Sequence, residues 1–568
     1  MSQAPSSPPD MNCPTDRPWL AHYPAGVAAD IEDQGNRTLV DIFEESCRRF
    51  ADKVAYTNLG VELSYAELQR QSAHFASFLQ HELGFAKGDR IALMMPNLLQ
   101  YPIALFGILR AGMVVVNVNP MYTARELEHQ LVDAEVRGIV IVENFATTLE
   151  QVRERVNLEA IITTQIGDCL SPLKRLLTNL AVKYIKKMVP AFTLPDAITF
   201  NTALARGARK PLQAPTIDAD DVAVLQYTGG TTGAAKGAIL LHRNIVANMA
   251  QCSMWIKPTT EPGKERIITA LPLYHVFALT ANCLVFLQLG GNNALVTDPR
   301  NIPQLAKTFA RHKPTAFTGV NTLFNALAND ASFRRLDFSA LRLALGGGAA
   351  VQRAVAKKWK RITGIPIIEA YGLTETSPAA VINPLDLTDY TGSIGLPIPS
   401  TRALICDDDG NAVATGEPGE LCIAGPQVMA GYHKRPEETA KSFLAGGYFR
   451  TGDIAKMDAD GFFYIIDRKK DMILVSGFNV YPNEVEDVVA GHPGVREAAC
   501  VGMADAKSGE AVKLFVVRSD ASTSKDSIMA FCREELTAYK VPKEIVFVDD
   551  LPKSNVGKVL RKDLRGQE

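Results

Sequence analysis

The sequence predicts an α/β chain in two domains: a large one of layered sheets and helices, then a small α+β one. Three observations predict it. Strand-like apolar runs at 90–95, 113–118 and 138–142 alternate with helix starts, the pattern of layered α/β units with largely parallel sheets. The chain has 568 residues, more than one ordinary core organises. After Arg468 the texture changes, with a short charged stretch, Asp467-Arg-Lys-Lys-Asp471, preceding a compact unit.

Taken in order, residues 1–36 read as an N-terminal tail, beginning with the Ser/Pro-rich Met1-Ser-Gln-Ala-Pro-Ser-Ser-Pro-Pro-Asp10. That start has no basic region followed by an apolar one, so it does not read as a signal peptide. Ser64-Tyr-Ala-Glu67 and Thr123-Ala-Arg-Glu126 are capping boxes ahead of helices. The apolar run 222–226 reads as a strand. From 268 to 289 there is no Asp, Glu, Lys or Arg, and that length approaches the ~20 residues a membrane span requires. Pro272, His275, Asn282 and Gln288 interrupt it, so it reads as a strand end, a loop and a buried helix. Residues 37–470 form the large domain on this reading, and 471–568 the small one, with a helix at 482–489 and strands at 498–501 and 512–517.

Apolar residues make up 47% of the chain and charged ones 21%, ordinary values for a soluble globular protein. A net charge of −2 gives no general attraction to nucleic acid, and none is expected as a partner. Nine cysteines lie scattered from Cys13 to Cys532 without a C-x-x-C pair. They read as free thiols of a reducing, cytoplasmic setting, not a disulfide frame or a zinc site.

One segment stands apart. Leu173, Leu176, Leu177, Leu180, Tyr184 and Met188 follow helical spacing, with Lys174, Arg175, Lys183, Lys186 and Lys187 around them. That composition suits a helix lying on an anionic membrane surface, although an ordinary amphipathic helix packed on the domain is the more common case.

The densest motif is Tyr227-Thr-Gly-Gly-Thr-Thr-Gly-Ala-Ala-Lys-Gly-Ala238, with four glycines, three threonines and a lysine just after the strand-like run. Glycine lets backbone N–H groups converge on a bulky anion. Threonine hydroxyls and Lys236 add donors and charge. The loop is neither a Walker A motif nor a Rossmann fingerprint, and alone it would be only a Gly/Thr-rich turn. Further motifs follow in order: Glu369-Ala-Tyr-Gly-Leu-Thr-Glu-Thr376, Tyr448-Phe-Arg-Thr-Gly-Asp453, Asp467-Arg-Lys-Lys-Asp471 and Pro552-Lys-Ser-Asn-Val-Gly-Lys-Val559.

With all five in one order, the sequence resembles the adenylate-forming superfamily of acyl-CoA synthetases, firefly-type luciferases and peptide-synthetase adenylation domains. Met94-Met-Pro-Asn-Leu-Leu-Gln-Tyr101, Leu271-Pro-Leu-Tyr-His275, Gly319-Val-Asn-Thr-Leu-Phe-Asn325 and Ser476-Gly-Phe-Asn-Val-Tyr-Pro-Asn-Glu484 look like the bacterial long-chain fatty acid–CoA ligases within it. The resemblance implies ATP, Mg²⁺ and coenzyme A with a fatty acid as substrate and a mobile small domain; with such a substrate, the basic amphipathic segment would make peripheral contact with the inner membrane surface useful. A medium-chain or aryl acid–CoA ligase, an enzyme loading a carrier protein, a luciferase-type oxidation and a non-catalytic sensor stay as alternatives. The oligomeric state stays open, with a homodimer as one reading.

Carried onto this chain, the resemblance makes Lys558 the lysine that bridges the fatty carboxylate and the α-phosphate. Tyr227, Thr228, Gly229, Gly230, Thr231, Thr232, Gly233, Lys236 and Gly237 would hold the outer phosphates. Glu375 and Thr231 would bind Mg²⁺. Tyr371 would stack on adenine, with Gly347, Gly348 and Ala349 giving its edge a backbone surface and Gly372 and Thr374 alongside. Asp453 and Arg468 would hold the ribose. Lys470 would be the pivot, and Gly477 would give the pantetheine arm room. His275 would lie by the carboxylate site, although a histidine in an apolar run is as readily a satisfied core residue. The acyl pocket would draw on 320–324 and 344–348. Two departures from the family pattern are Gly446-Gly-Tyr448, where Asn-Gly-Trp is usual, and Ala349-Ala350, where a bulkier residue is common.

Overall fold

The computed structural model describes residues 17–228, 235–476, 478–505, 507–554 and 557–565. Among them are four β-sheets flanked by helices. The first, of eight strands, has a parallel body in which Arg90–Met94, Val114–Asn117, Gly138–Val142 and Ala160–Thr164 lie side by side. Val114–Asn117 and Gly138–Val142 are buried along their whole length, which is why they read as continuous Val/Ile runs with no alternation. At one end Val222–Thr228 continues the parallel order and then pairs antiparallel with Lys236–Leu241, which pairs with the short Gly431–Tyr432.

The nine-stranded sheet runs Leu396–Pro397, Ala379–Ile382, Ile368–Gly372, Leu343–Gly346, Ala316–Gly319, Arg266–Thr269, Asn292–Leu295, Val54–Asn58, Val61–Ser64. Its centre is parallel and its two ends are antiparallel. Helices Tyr65–His81 and Gln100–Arg110 fill the space between layers. Gly107 permits their close approach, because a Cβ there would stand 2.8 Å from the Phe75 ring. The charge-free stretch resolves as the strand Arg266–Thr269, a loop, a π-helical turn Ala278–Leu284 and the helix Val285–Gln288, all within the core. The π turn leaves no trace in apolar spacing.

Both helix starts hold, but differently. Thr123 makes the full reciprocal capping box with Glu126. Ser64 accepts from the Glu67 amide, while the Glu67 carboxylate turns to Arg70 and Gln71, so only half the box forms. The loose-tail expectation fails from residue 17 onward. Trp19 is 3% exposed against Phe463, the Tyr23 hydroxyl donates to the Pro397 carbonyl at 2.5 Å, and the Ile31 amide donates to Ser400 Oγ. Apolar anchors spaced too far apart for one helix or strand carry that packing, so periodicity could not reveal it. Residues 1–16 lie outside the described residues.

Arg402–Cys406, Gly419–Ala424, Phe449–Met457 and Phe463–Arg468 form the third sheet, antiparallel throughout. Beyond it lies the small α+β unit. Phe478–Val480, Ile473–Val475, Gly509–Arg518 and Val495–Asp505 pair in that order, Glu544–Phe547 adds to Gly509–Arg518, and the helix Pro482–Ala490 packs on Val495–Asp505. It has its own apolar cluster around Val480, Val485, Leu514 and Ile528.

Candidate active site

The third sheet sets the first anchor. Asp453 and Arg468 face each other in the register of Phe449–Met457 with Phe463–Arg468, and Arg468 Nε lies 2.9 Å from Asp453 Oδ1. The Tyr371 hydroxyl, on Ile368–Gly372 of the nine-stranded sheet, donates to Asp453 Oδ2 at 2.6 Å. The strand carrying Asp453 is itself fixed. Thr451 Oγ1 donates to the Leu421 carbonyl, the Gly452 amide to Glu420 Oε1, and Arg450 Nη2 to Glu420 Oε2 at 2.7 Å.

Lys558 comes to this point from the small unit. Burial lowers its ammonium pKa to about 8, helped by Arg468 and opposed by Asp453. His275, on the loop after Arg266–Thr269, is half-buried, and burial with the nearby Lys558 charge depresses it to about 4. Its Nδ1 accepts from the Phe277 amide, so the neutral ring is held in one orientation. Lys558, His275, Asp453, Arg468 and Tyr371 therefore share one electrostatic neighbourhood assembled from three parts of the chain.

A second anchor lies alongside. Glu375 is buried in the single turn Thr374–Thr376, and burial raises its carboxyl pKa. The Tyr432 hydroxyl donates to Glu375 Oε1 at 2.7 Å, and the Lys236 ammonium lies 5.4 Å from the Tyr432 ring centre. Lys236 also pairs with Glu438. Tyr432, Glu438 and Glu420 escaped the sequence reading. Tyr432 reaches the site because it is opposite Ala238 in strand register, a long-range pairing with no local signal.

The glycines leave room in the way their positions require. A Cβ on Gly347 would stand 3.0 Å from the Ala370 carbonyl, and one on Gly372 only 1.8 Å from the Pro378 carbonyl. Gly348 and Ala349 reach the surface beside them. Tyr227 is turned away, its hydroxyl donating to Asp133 at 2.6 Å while Gly237 packs against its ring. Thr228 lies opposite Lys236 in the register. Lys470 is exposed, its carbonyl accepting from Arg565. Gly229, Gly230, Thr231, Thr232, Gly233 and Gly477 lie outside the described residues.

Among the described residues no group of three or more His, Cys, Asp or Glu gathers that could hold a metal ion by itself. A lone buried carboxylate such as Glu375 does fit Mg²⁺, which takes one or two protein oxygens and fills its shell with phosphate and water.

Two family models match: the AMP-binding enzyme model over residues 43–433 and the AMP-binding enzyme C-terminal domain over 484–558. The chain belongs to the AMP-binding enzyme family. Among AMP-binding enzymes it is 56% identical over 549 residues to a long-chain-fatty-acid–CoA ligase of Escherichia coli O157:H7, covering 97% of this chain and 98% of that one. A ligase of the same name from Bacillus subtilis (strain 168) is 39% identical over 556 residues, again covering 97% and 98%. Among solved structures, an anthranilate CoA ligase in complex with anthranoyl-AMP superposes with a TM-score of 0.83 at 26% identity, covering 93% of this chain and 96% of that one. The family confirms the two-part α/β architecture expected from the sequence.

Proposed function

We propose that this AMP-binding enzyme activates a long-chain fatty acid with ATP and transfers the acyl group to coenzyme A. A carboxylate oxygen attacks the α-phosphorus, the bond to the β-phosphate oxygen breaks, and pyrophosphate leaves. The thiolate sulfur then attacks the acyl carbonyl and AMP departs with the electron pair. The observation that carries this is the convergence of Lys558 and His275 on the Tyr371–Asp453–Arg468 anchor, within a chain 56% identical to a ligase of that name.

The first step brings two anions together, so it requires fixed positive charge between them. Lys558 supplies that charge, and its depressed pKa marks how little water shields it. Neutral His275 orients the carboxylate without adding a competing charge. Asp453 accepts from the ribose hydroxyls, with Arg468 fixing its other side. Tyr371 bounds the base, and Gly347, Gly348 and Ala349 offer their backbone. The loop with Thr228 and Lys236 holds the outer phosphates. Mg²⁺ would neutralise phosphate charge, with Glu375 and Thr231 as its protein ligands and Tyr432 fixing the Glu375 carboxylate. Rotation of the small unit about Lys470 then exchanges Lys558 for the face around Gly477.

Among the described residues no helix is long and apolar enough to cross a membrane. Peripheral work at the inner membrane surface belongs to the proposal, since the substrate partitions into lipid.

The test is purified enzyme with ATP, Mg²⁺ and coenzyme A against a ladder of fatty and aryl acids, following AMP and thioester. A rate optimum at long chains is expected. An optimum at aryl acids would favour the second reading, which the likeness to the anthranilate CoA ligase supports, and AMP without thioester would point to a carrier protein.

A further inference from the structure

The described chain exposes twelve large apolar side chains, and seven of them lie in one segment: Leu173, Leu176, Leu177, Leu180, Tyr184, Ile185 and Met188. Their exposure runs from 44 to 80%. They occupy the helix Pro172–Leu180 and the π turn Ala181–Ile185, which ends where Lys187 takes a positive φ of 50°. A soluble surface rarely gathers so much apolar area in one place without a partner for it.

The segment is tied down by its other side. Asn179 accepts from the Gly167 amide at 2.8 Å and donates to Gln165 at 2.7 Å, Val182 is buried, and Asn144 holds the Met188 carbonyl at 3.0 Å. The apolar row is therefore presented outward by a fixed helix. Five cations flank it: Lys174, Arg175, Lys183, Lys186 and Lys187. Among the described residues none of them makes an ion pair, and no acidic residue occurs between Asp168 and Asp196.

We propose that residues 172–188 form an in-plane anchor that lays this row into the headgroup region of an anionic lipid bilayer. The inference rests on the peripheral association proposed above and names its element. The segment is too short to span a bilayer, and unpaired cations beside an exposed apolar stripe match a surface that is apolar beneath and negative on top. A second copy of the chain fits poorly, because pairing like faces would set both cation sets against each other. Nothing in the segment belongs to the proposed catalytic machinery.

The test uses the full chain carrying Tyr184→Trp. The three native tryptophans, Trp19, Trp255 and Trp359, are buried, so the new indole reports the patch. A blue shift is expected with phosphatidylcholine–phosphatidylglycerol vesicles and none with phosphatidylcholine alone. In co-sedimentation, Lys183→Gln with Lys186→Gln and Lys187→Gln should cut partition by roughly a hundredfold, each charge near the surface being worth about fivefold. Leu176→Ser with Ile185→Ser should do the same, with unaltered melting showing that both variants fold. Variants that sediment like the parent overturn the assignment, as does a blue shift that tracks protein concentration without lipid, which would mark an interface between copies. Acyl-CoA formation from albumin-delivered fatty acid without vesicles is measured in parallel. If it is absent, the proposed function fails; if it persists while vesicle binding is missing, the anchor alone fails.

Discussion

At the scale of single residues, Lys558 bears the charge the proposed first step needs, and Tyr432 positions the Glu375 carboxylate. Lys558 must be an ammonium to bridge two anions, and burial holds its pKa near 8. Adenylation, followed as pyrophosphate exchange, is expected to be fully active below pH 8 and to fall as pH rises through that value. The fall should come at higher pH in kcat than in kcat/KM, because bound phosphates restore preference for the charged form. Lys558→Ala should cost about 10²–10³ in adenylation while acyl transfer from supplied adenylate stays within a few-fold; equal loss in both halves would contradict the role. Tyr432 acts through another group. Its hydroxyl fixes the Glu375 carboxylate, so Tyr432→Phe should raise the Mg²⁺ concentration needed for half-maximal rate by about tenfold. Saturating Mg²⁺ should recover most of kcat, whereas a merely structural loss would lower kcat at every concentration.

Between single residues and the whole lies the junction of the two units. Arg561 Nε and Nη2 donate to Glu486 at 2.9 and 2.7 Å, and its Nη1 lies 3.3 Å from Asp467 and 3.5 Å from Asp471. Asp467 sits at the end of the strand Phe463–Arg468 with its side chain fully buried, and it accepts from the Asn483 amide on the helix Pro482–Ala490. One guanidinium thus closes the seam between the third sheet and the small unit. Arg561→Gln leaves buried carboxylates without their partner, which typically costs about 3–5 kcal/mol. Faster limited proteolysis between 468 and 473 is the expected readout, and an unchanged rate would show that the network does not hold the seam.

Across the whole molecule, another contact between the two units is the hydrogen bond from Thr322 Oγ1 to the Gly557 carbonyl at 3.1 Å. A Cβ built on Gly557 would lie 3.9 Å from Thr322 Cβ, inside the span a disulfide bridges. Thr322→Cys with Gly557→Cys, oxidised, should keep pyrophosphate exchange and lose thioester formation until a reductant is added. Its strain, a cysteine at φ 82°, is about 1–2 kcal/mol. Continued turnover with the bond closed would show that the small unit need not leave this position.

The sequence revealed the parts of this molecule that local chemistry determines. Parallel strands showed as unbroken Val/Ile runs, and the helix of the small unit, read at 482–489, is Pro482–Ala490. Lys558, Asp453 and Arg468, singled out through ordered motifs, are brought into one neighbourhood. What stayed hidden depends on pairing across long separations. Tyr432 joins the candidate site because Gly431–Tyr432 pairs with Lys236–Leu241 at a sheet edge, and residues 17–36 are packed through contacts such as Trp19 against Phe463. The cysteines read correctly as free thiols: all eight described ones are unbonded, and all but Cys169 are buried.

The two tyrosine hydroxyls have a mechanical consequence. Tyr371 joins the nine-stranded sheet to the four-stranded one, and Tyr432 joins the edge of the eight-stranded sheet to the turn carrying Glu375. The candidate site is therefore a point where three sheets are pinned, and a nucleotide bound there as proposed would brace all three at once. Its arrival should slow amide hydrogen exchange together in Ile368–Gly372, Lys236–Leu241 and Phe449–Met457. Departure of AMP would release that brace, so the body is loosest between turnovers, when the next acyl chain has to thread its way in.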